Sequence, residues 1–240
     1  MESDPYRPPA AEVTTENTGF GTPATQSYPK YNLSVVHTVC TISVLVLCVL
    51  FCLISLGETI GSLMFPGFGD PQSQVMSDTE MMLAIAITIS AILTVIVQIV
   101  AAVALCKFMY RANANLRSSG VQGLEFTPGW CAGYWFVPIL NLFKPFGAMK
   151  ELYKASSDPL GRWGETEVPT TLGIWWAAWV IGSVVSRVEA NVAMQGIDAG
   201  GFLTWVSTIL MLVAGISLVS ILKDIHEKQD SNGISGQPSM

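Results

Sequence analysis

The sequence predicts an all-α integral membrane protein, a four-helix bundle with a proline-broken helix, re-entrant or interfacial on the cytoplasmic side, between spans two and three. Three observations carry this expectation. Apolar residues make up 50% of the 240 and charged residues only 12%, about half the charged share of a soluble domain. Four stretches, 35–56, 81–106, 168–186 and 200–222, contain no Asp, Glu, Lys or Arg, and about 20 apolar residues rising 1.5 Å each cross a hydrocarbon layer roughly 30 Å thick. Four spans also sort the charges. Of the 12 Lys and Arg, only Arg187 falls on the side opposite the N terminus, where Glu58, Asp70, Asp78, Glu80, Glu189 and Asp198 collect. That is the positive-inside distribution, with both termini cytoplasmic. The apolar runs exclude a soluble globular protein and a secreted disulfide scaffold, and a net charge of −6 without a dense basic cluster excludes a nucleic-acid binder.

Residues 1–32, rich in Pro, Thr, Ser and Glu, hold too little apolar surface to fold and form a disordered cytoplasmic tail. The membrane domain covers 33–225, and its first span is its own insertion signal. In that span Thr38, Thr41, Leu45, Cys48, Cys52 and Ser55 recur at steps of three and four, one seam of a left-handed helix pair. Met64-Phe65-Pro66-Gly67-Phe68-Gly69 is expected to dip into the outer headgroup layer. Ser77-Asp78-Thr79-Glu80 reads as a capping box opening span two. Span two carries Ala86, Ser90, Thr94, Gln98 and Ala102 at four-residue steps, a stripe that drifts about 40° per step and wraps across neighbours. Span three leans on Trp175, Trp176 and Trp179 and offers Ala178, Gly182 and Ser186 for close packing. Span four offers Thr204, Ser207, Met211 and Ala214. A polar cytoplasmic tail, 226–240, is expected to fray. The five cysteines, Cys40, Cys48, Cys52, Cys106 and Cys131, match no zinc spacing. They read as packing residues, with Cys106 and Cys131 placed for acylation as the rival account.

Span two runs on past the membrane through Arg117, with Gly120 as its stop. Thr127 then caps a new helix with Pro128 at its first position. Residues 127–156 form the broken helix: Pro138 and Pro145 would free the carbonyls of Tyr134 and Asn141 if the chain stayed helical, with the Asn141 amide as local donor. Trp130, Tyr134, Trp135, Phe136, Phe143, Phe146 and Tyr153 form an aromatic belt, and Lys144, Lys150 and Lys154 follow it.

The strings Tyr110-Arg111-Ala112-x-Ala114-Asn115-Leu116, Pro128-Gly129-Trp130-x-x-Gly133-Tyr134-Trp135-Phe136-Val137-Pro138-Ile139-x-Asn141-Leu142-Phe143-x-Pro145 and Glu151-Leu152-Tyr153-x-Ala155-Ser156, with the Trp175-Trp176 pair, resemble one bacterial membrane family. That family is catalogued as domain of unknown function four-three-two-eight, and the resemblance covers roughly residues 35 to 225. Phe143 and Tyr153 stand where many relatives have Trp. The resemblance implies a multi-span protein of the bacterial inner membrane and brings no substrate, cofactor or catalytic residue.

No nucleophile–base pair, carboxylate pair or metal-ligand spacing stands out, and His37 and His226 have no such neighbours in sequence, so neither an enzyme nor a cofactor is expected. The leading expectation is a non-enzymatic module that binds lipid or a partner. Its candidate contacts with anionic headgroups or a protein are Lys107, Arg111, Arg117, Trp130, Trp135, Asn141, Lys144, Lys150 and Lys154. The alternative is an oligomeric small-solute transporter or channel. Gln98, the strongly polar side chain deep in a span, is either a ligand contact or interhelical glue. The expected partners are the bilayer and either a second copy or another membrane protein.

Overall fold

The computed structural model describes residues 28–65, 77–195 and 201–236. The expected dip after Phe65 and most of the N-terminal tail lie outside these residues. All regular structure in them is helical: α1 (Ser34–Met64), α2 (Asp78–Ser118), α3 (Pro128–Gly133), α4 (Lys144–Ser157), α5 (Thr170–Met194) and α6 (Phe202–Ser231), with 3₁₀ turns at Tyr134–Phe136, Leu140–Leu142 and Trp163–Glu165. Helices α1, α2, α5 and α6 are long and apolar enough to cross a membrane.

Local chemistry sets the helix ends. Ser77 Oγ accepts from the Glu80 N–H at 3.2 Å while Glu80 Oε2 accepts from the Ser77 N–H at 3.4 Å, the expected capping box. The α2 C-terminus closes in a Schellman motif. Gly120 takes φ 86°, its N–H donates to Arg117 O, the Val121 N–H donates to Leu116 O, and Val121 and Leu116 bury together. α6 ends in the same way, with Gly233 at φ 65°, Ile234 N–H on Gln229 O and Ile234 buried. The expected fraying after Leu222 is therefore corrected: α6 continues to Ser231 because its last turns pack against α4. The tail boundary at 32 moves too, since Tyr31 exchanges backbone hydrogen bonds with the Asn115 amide and Leu33 is buried.

α1 packs on α2 and α6, and α6 packs on α5. Along α1 the residues withdrawn from the surface include Leu33, Val36, Cys40, Ser43, Leu47 and Leu50, at the alternating three and four spacing of a left-handed seam. The expected seam is met in part: Cys48 and Ser55 face α6, whereas Thr38 and Leu45 are exposed. The Thr38 hydroxyl donates to its own helix at Ser34 O instead of crossing to a neighbour. On α2 the seam includes Ser90, Thr94, Ala101, Ala104 and Phe108, so the four-residue stripe leaves it after Thr94 and carries Gln98 and Ala102 to another face. Small residues set the closest approaches. A Cβ on Gly215 of α6 would lie 2.9 Å from Cys48 Sγ of α1, and one on Gly182 of α5 would lie 3.2 Å from Leu210 Cβ of α6.

Between α3 and α4 the chain does not stay helical. Leu140 N–H donates to Pro138 O at 2.7 Å around Ile139, which holds φ 68°, ψ −55°. This is a γ-turn of the positive-φ kind, strained for a β-branched residue by about 1–3 kcal/mol. Phe136, Ile139 and Phe143 are 77%, 75% and 68% exposed around it. Pro145 stands in the first turn of α4, where no N–H is missed.

Candidate functional site

α2 and α5 make no extended contact, and the gap between them is a cleft. It has a volume of about 380 Å³ and is lined by all four long helices, a size suited to a small ligand. Trp135 plugs the end nearest the lysines. Its Nε1–H donates to Met109 Sδ of α2 at 3.4 Å, and its ring meets those of Trp176 and Trp179 of α5 at 6.2 and 5.6 Å. Trp176 and Trp179 stack at 5.1 Å. Trp175, Trp179, Phe136 and Phe51 supply aromatic wall, and Gln98 and Ser183 supply its polar side chains from α2 and α5. A shallower groove of about 270 Å³ beside Cys48, Cys52, Leu56 and Leu212 has no such polar groups.

Beyond Trp135 lies a buried polar network joining α2, α4 and α6. Gln229 Nε2 donates to Ala112 O and Ser156 Oγ, each at 3.0 Å, and its Oε1 accepts from Asn115 Nδ2 at 3.2 Å. Asn113 Nδ2 donates to Phe126 O, and Arg117 donates to Asn113 Oδ1, Leu124 O and Phe126 O. Glu151 completes the clamp on this loop by accepting the N–H groups of Glu125 at 2.6 Å and Phe126 at 3.2 Å. Burial raises the Glu151 carboxyl above the usual carboxylate range, against the opposing effect of those two hydrogen bonds and Arg117. Burial also pushes the Cys131 thiol up to about 12, so the thiol is inert and fully packed, away from any surface where an acyl chain could attach.

The residues singled out from sequence fall into distinct places. Arg111 donates to Asn32 O at 3.3 Å and covers the Tyr31 ring, and Arg117 belongs to the loop clamp. Lys144 pairs with Glu125 at 3.2 Å and lies over the Phe126 ring, while Lys154 donates to Gly164 O. Lys107 and Lys150 are exposed, and neither makes a hydrogen bond or ion pair among the described residues. Trp130 stacks on Tyr134 at the exposed face, and Trp135 enters the cleft. The Asn141 expectation is corrected. Because Pro138 lies outside any helix and Pro145 stands in the first turn of α4, no carbonyl is stranded for its amide. Its Oδ1 is instead buried without a hydrogen-bond partner. Gln98 faces the cleft, and neither it nor Ser183 hydrogen-bonds through its side chain among the described residues.

Sequence reasoning missed Gln229, Ser156, Glu151 and Asn113. A signal for Glu151 and Ser156 existed, since they share the buried face of α4 with Ala148, Leu152 and Ala155. It also missed a cluster at the opposite end of the bundle, where Glu189 accepts from Thr204 and Ser207, Ser55 meets Thr208 at 2.6 Å and Trp205 Nε1–H donates to Thr59.

The model of the family described as Domain of unknown function (DUF4328) matches residues 73–227. That is more than half of the chain, which therefore belongs to this family. The match takes in α2 to most of α6 and starts after α1, a narrower reach than the 35 to 225 of the motif resemblance. No curated protein and no solved structure matches the chain.

Proposed function

We propose that this family member is a non-enzymatic lipid-binding module of the bacterial inner membrane, both termini cytoplasmic, that admits an apolar molecule sideways from the bilayer into the cleft between α2 and α5. The observation that carries the reading is the separation of those two helices. Trp135 bridges them at one end only, so the rest of the gap faces the hydrocarbon. The exposure of Phe136, Ile139 and Phe143 supports a γ-turn dipped into the inner leaflet beside the cleft. Lys107 follows Cys106 of the cleft wall on α2, and with Lys150 it is free to meet anionic headgroups, at about 1 kcal/mol per charge. Arg111, Arg117 and Lys144 already have partners within the fold and contribute less to such a contact.

Native mass spectrometry of the full chain, released from mild detergent, tests this. The wild type is expected to retain a bound lipid, and Ala102→Trp, which fills the cleft from an exposed wall position, is expected to lose it with the melting temperature kept. The Lys107→Gln, Lys150→Gln double variant is expected to shift the retained lipid away from anionic species. Equal retention by wild type and Ala102→Trp, or none by either, would overturn the reading.

A further inference from the structure

The cleft is chemically uneven along its length. Near the lysines its walls are aromatic, from Trp135, Phe136 and Trp175. Counted at 1.5 Å per residue, Gln98 lies about 13 Å along α2 from Lys107, and Trp179 and Ser183 lie about 13 and 20 Å along α5 from Thr170. Gln98 therefore lies deep in the hydrocarbon, and Ser183 lies about 6 Å along α5 before Arg187, toward the outer edge of the span. A carboxamide and a hydroxyl therefore reach into the cleft from the two helices that make no extended contact, and neither has a hydrogen-bond partner among the described residues. An unmet amide in hydrocarbon costs several kcal/mol. A saturated acyl chain would bring only its methyl end to that depth and leave both groups unmet. A cation finds no carboxylate among the lining residues.

We infer, resting on the reading of the cleft as a lipid site, that its occupant is a neutral lipid with a flat ring and acceptor oxygens on opposite edges: a lipid-soluble quinone. The ring lies against Trp179, one carbonyl accepts from the Gln98 amide, and the other accepts from the Ser183 hydroxyl. The tail runs out between α2 and α5. Two donors on facing walls suit two opposed carbonyls, whereas a single-hydroxyl lipid would satisfy one of them.

Binding is read by titrating decyl-ubiquinone into the full-length protein in nanodiscs and following tryptophan fluorescence, because Trp135, Trp175 and Trp179 line the site and a bound quinone quenches them on contact. Saturable quenching is expected, and Gln98→Met and Ser183→Ala each weaken it about tenfold, the value of one lost hydrogen bond, at unchanged melting temperature. Decylbenzene, with ring and tail but no oxygen, competes at least about tenfold more weakly. If decylbenzene competes equally, or Gln98→Met binds as wild type, the quinone assignment fails while the cleft stands. If decyl-ubiquinone does not bind although the wild type retains lipid that Ala102→Trp loses, the assignment again fails alone. If no probe binds and no lipid is retained, the cleft reading fails with it.

Discussion

The basic end and the middle of the bundle treat polar side chains in opposite ways. At the basic end Asn113, Asn115, Glu151, Ser156 and Gln229 are buried and hydrogen-bonded across α2, α4 and α6. Midway along the bundle the hydroxyls of Thr88, Ser90 and Thr94 return to carbonyls of their own helix, and the Gln98 and Ser183 side chains make no hydrogen bond among the described residues. The difference follows the backbone. Where the chain leaves the helix at 119–127, backbone groups of Leu124, Glu125 and Phe126 are free and Asn113, Arg117 and Glu151 answer them. Where a helix runs unbroken it satisfies itself, and an amide left over has only the cleft to face.

The comparison is broken most directly by a change of side. In a background without the native cysteines, a cysteine at Leu160, exposed at the basic end, is expected to label only from the cytoplasm. One at Ala190 is expected to label only from outside. External labelling at 160 would refute the four-span topology. The next largest effect separates the two amides. Gln229→Leu strands the Ser156 hydroxyl and takes one partner each from Asn115 and the Ala112 carbonyl, and it is expected to cost about 2–3 kcal/mol in unfolding from detergent micelles. Gln98→Met is expected to cost no stability, since it breaks no bond of the fold and removes an unmet amide. Packing comes third. Gly215→Val forces α1 off α6 at about 2 kcal/mol, and Thr94→Leu in the α1–α2 seam falls in the range of about 1–3, whereas the exposed Ile92→Leu changes little. Equal tolerance of all three would mean that the seams are drawn wrongly.

What the sequence made legible was chemistry that acts over one turn. Ser77 with Glu80, Thr127 before Pro128, and Gly120 at a positive φ each announce a helix end through residues adjacent in the chain. The four long helices were legible because charge-free length is a local property too. The α1 seam was legible only in part, because α1 has neighbours on two sides, and a threonine such as Thr38 that bonds a carbonyl of its own helix gives no sign of which side it faces. The cleft was half legible. Gln98 stood out as polar, and the drift of its stripe implied that it wraps across neighbours, but its sharing a cleft with Ser183 and Trp179 depends on which helices fail to touch. Gln229 was hidden in what reads as a solvated tail, since its partners are far away in sequence at Asn115 and Ser156.

The smallest effect tests whether the polar end is as fully satisfied as its hydrogen bonds suggest. Glu151 accepts two backbone N–H groups, faces Arg117 and Glu125, and still has its carboxyl raised, because burial outweighs the favourable contacts. The folded state then holds the proton more tightly than the unfolded chain. The stability Glu151 contributes is full below the ordinary carboxylate range and is lost as pH rises through the raised folded value. Glu151→Gln removes this titration while keeping the carbonyl acceptor. The stability of the wild type relative to Glu151→Gln is therefore expected to decline from roughly pH 4 to pH 7, measured by thermal unfolding of both proteins in the same detergent. A difference that grows over that window would mean that the two N–H groups and Arg117 overcome burial, and that the clamp holds a carboxylate outright.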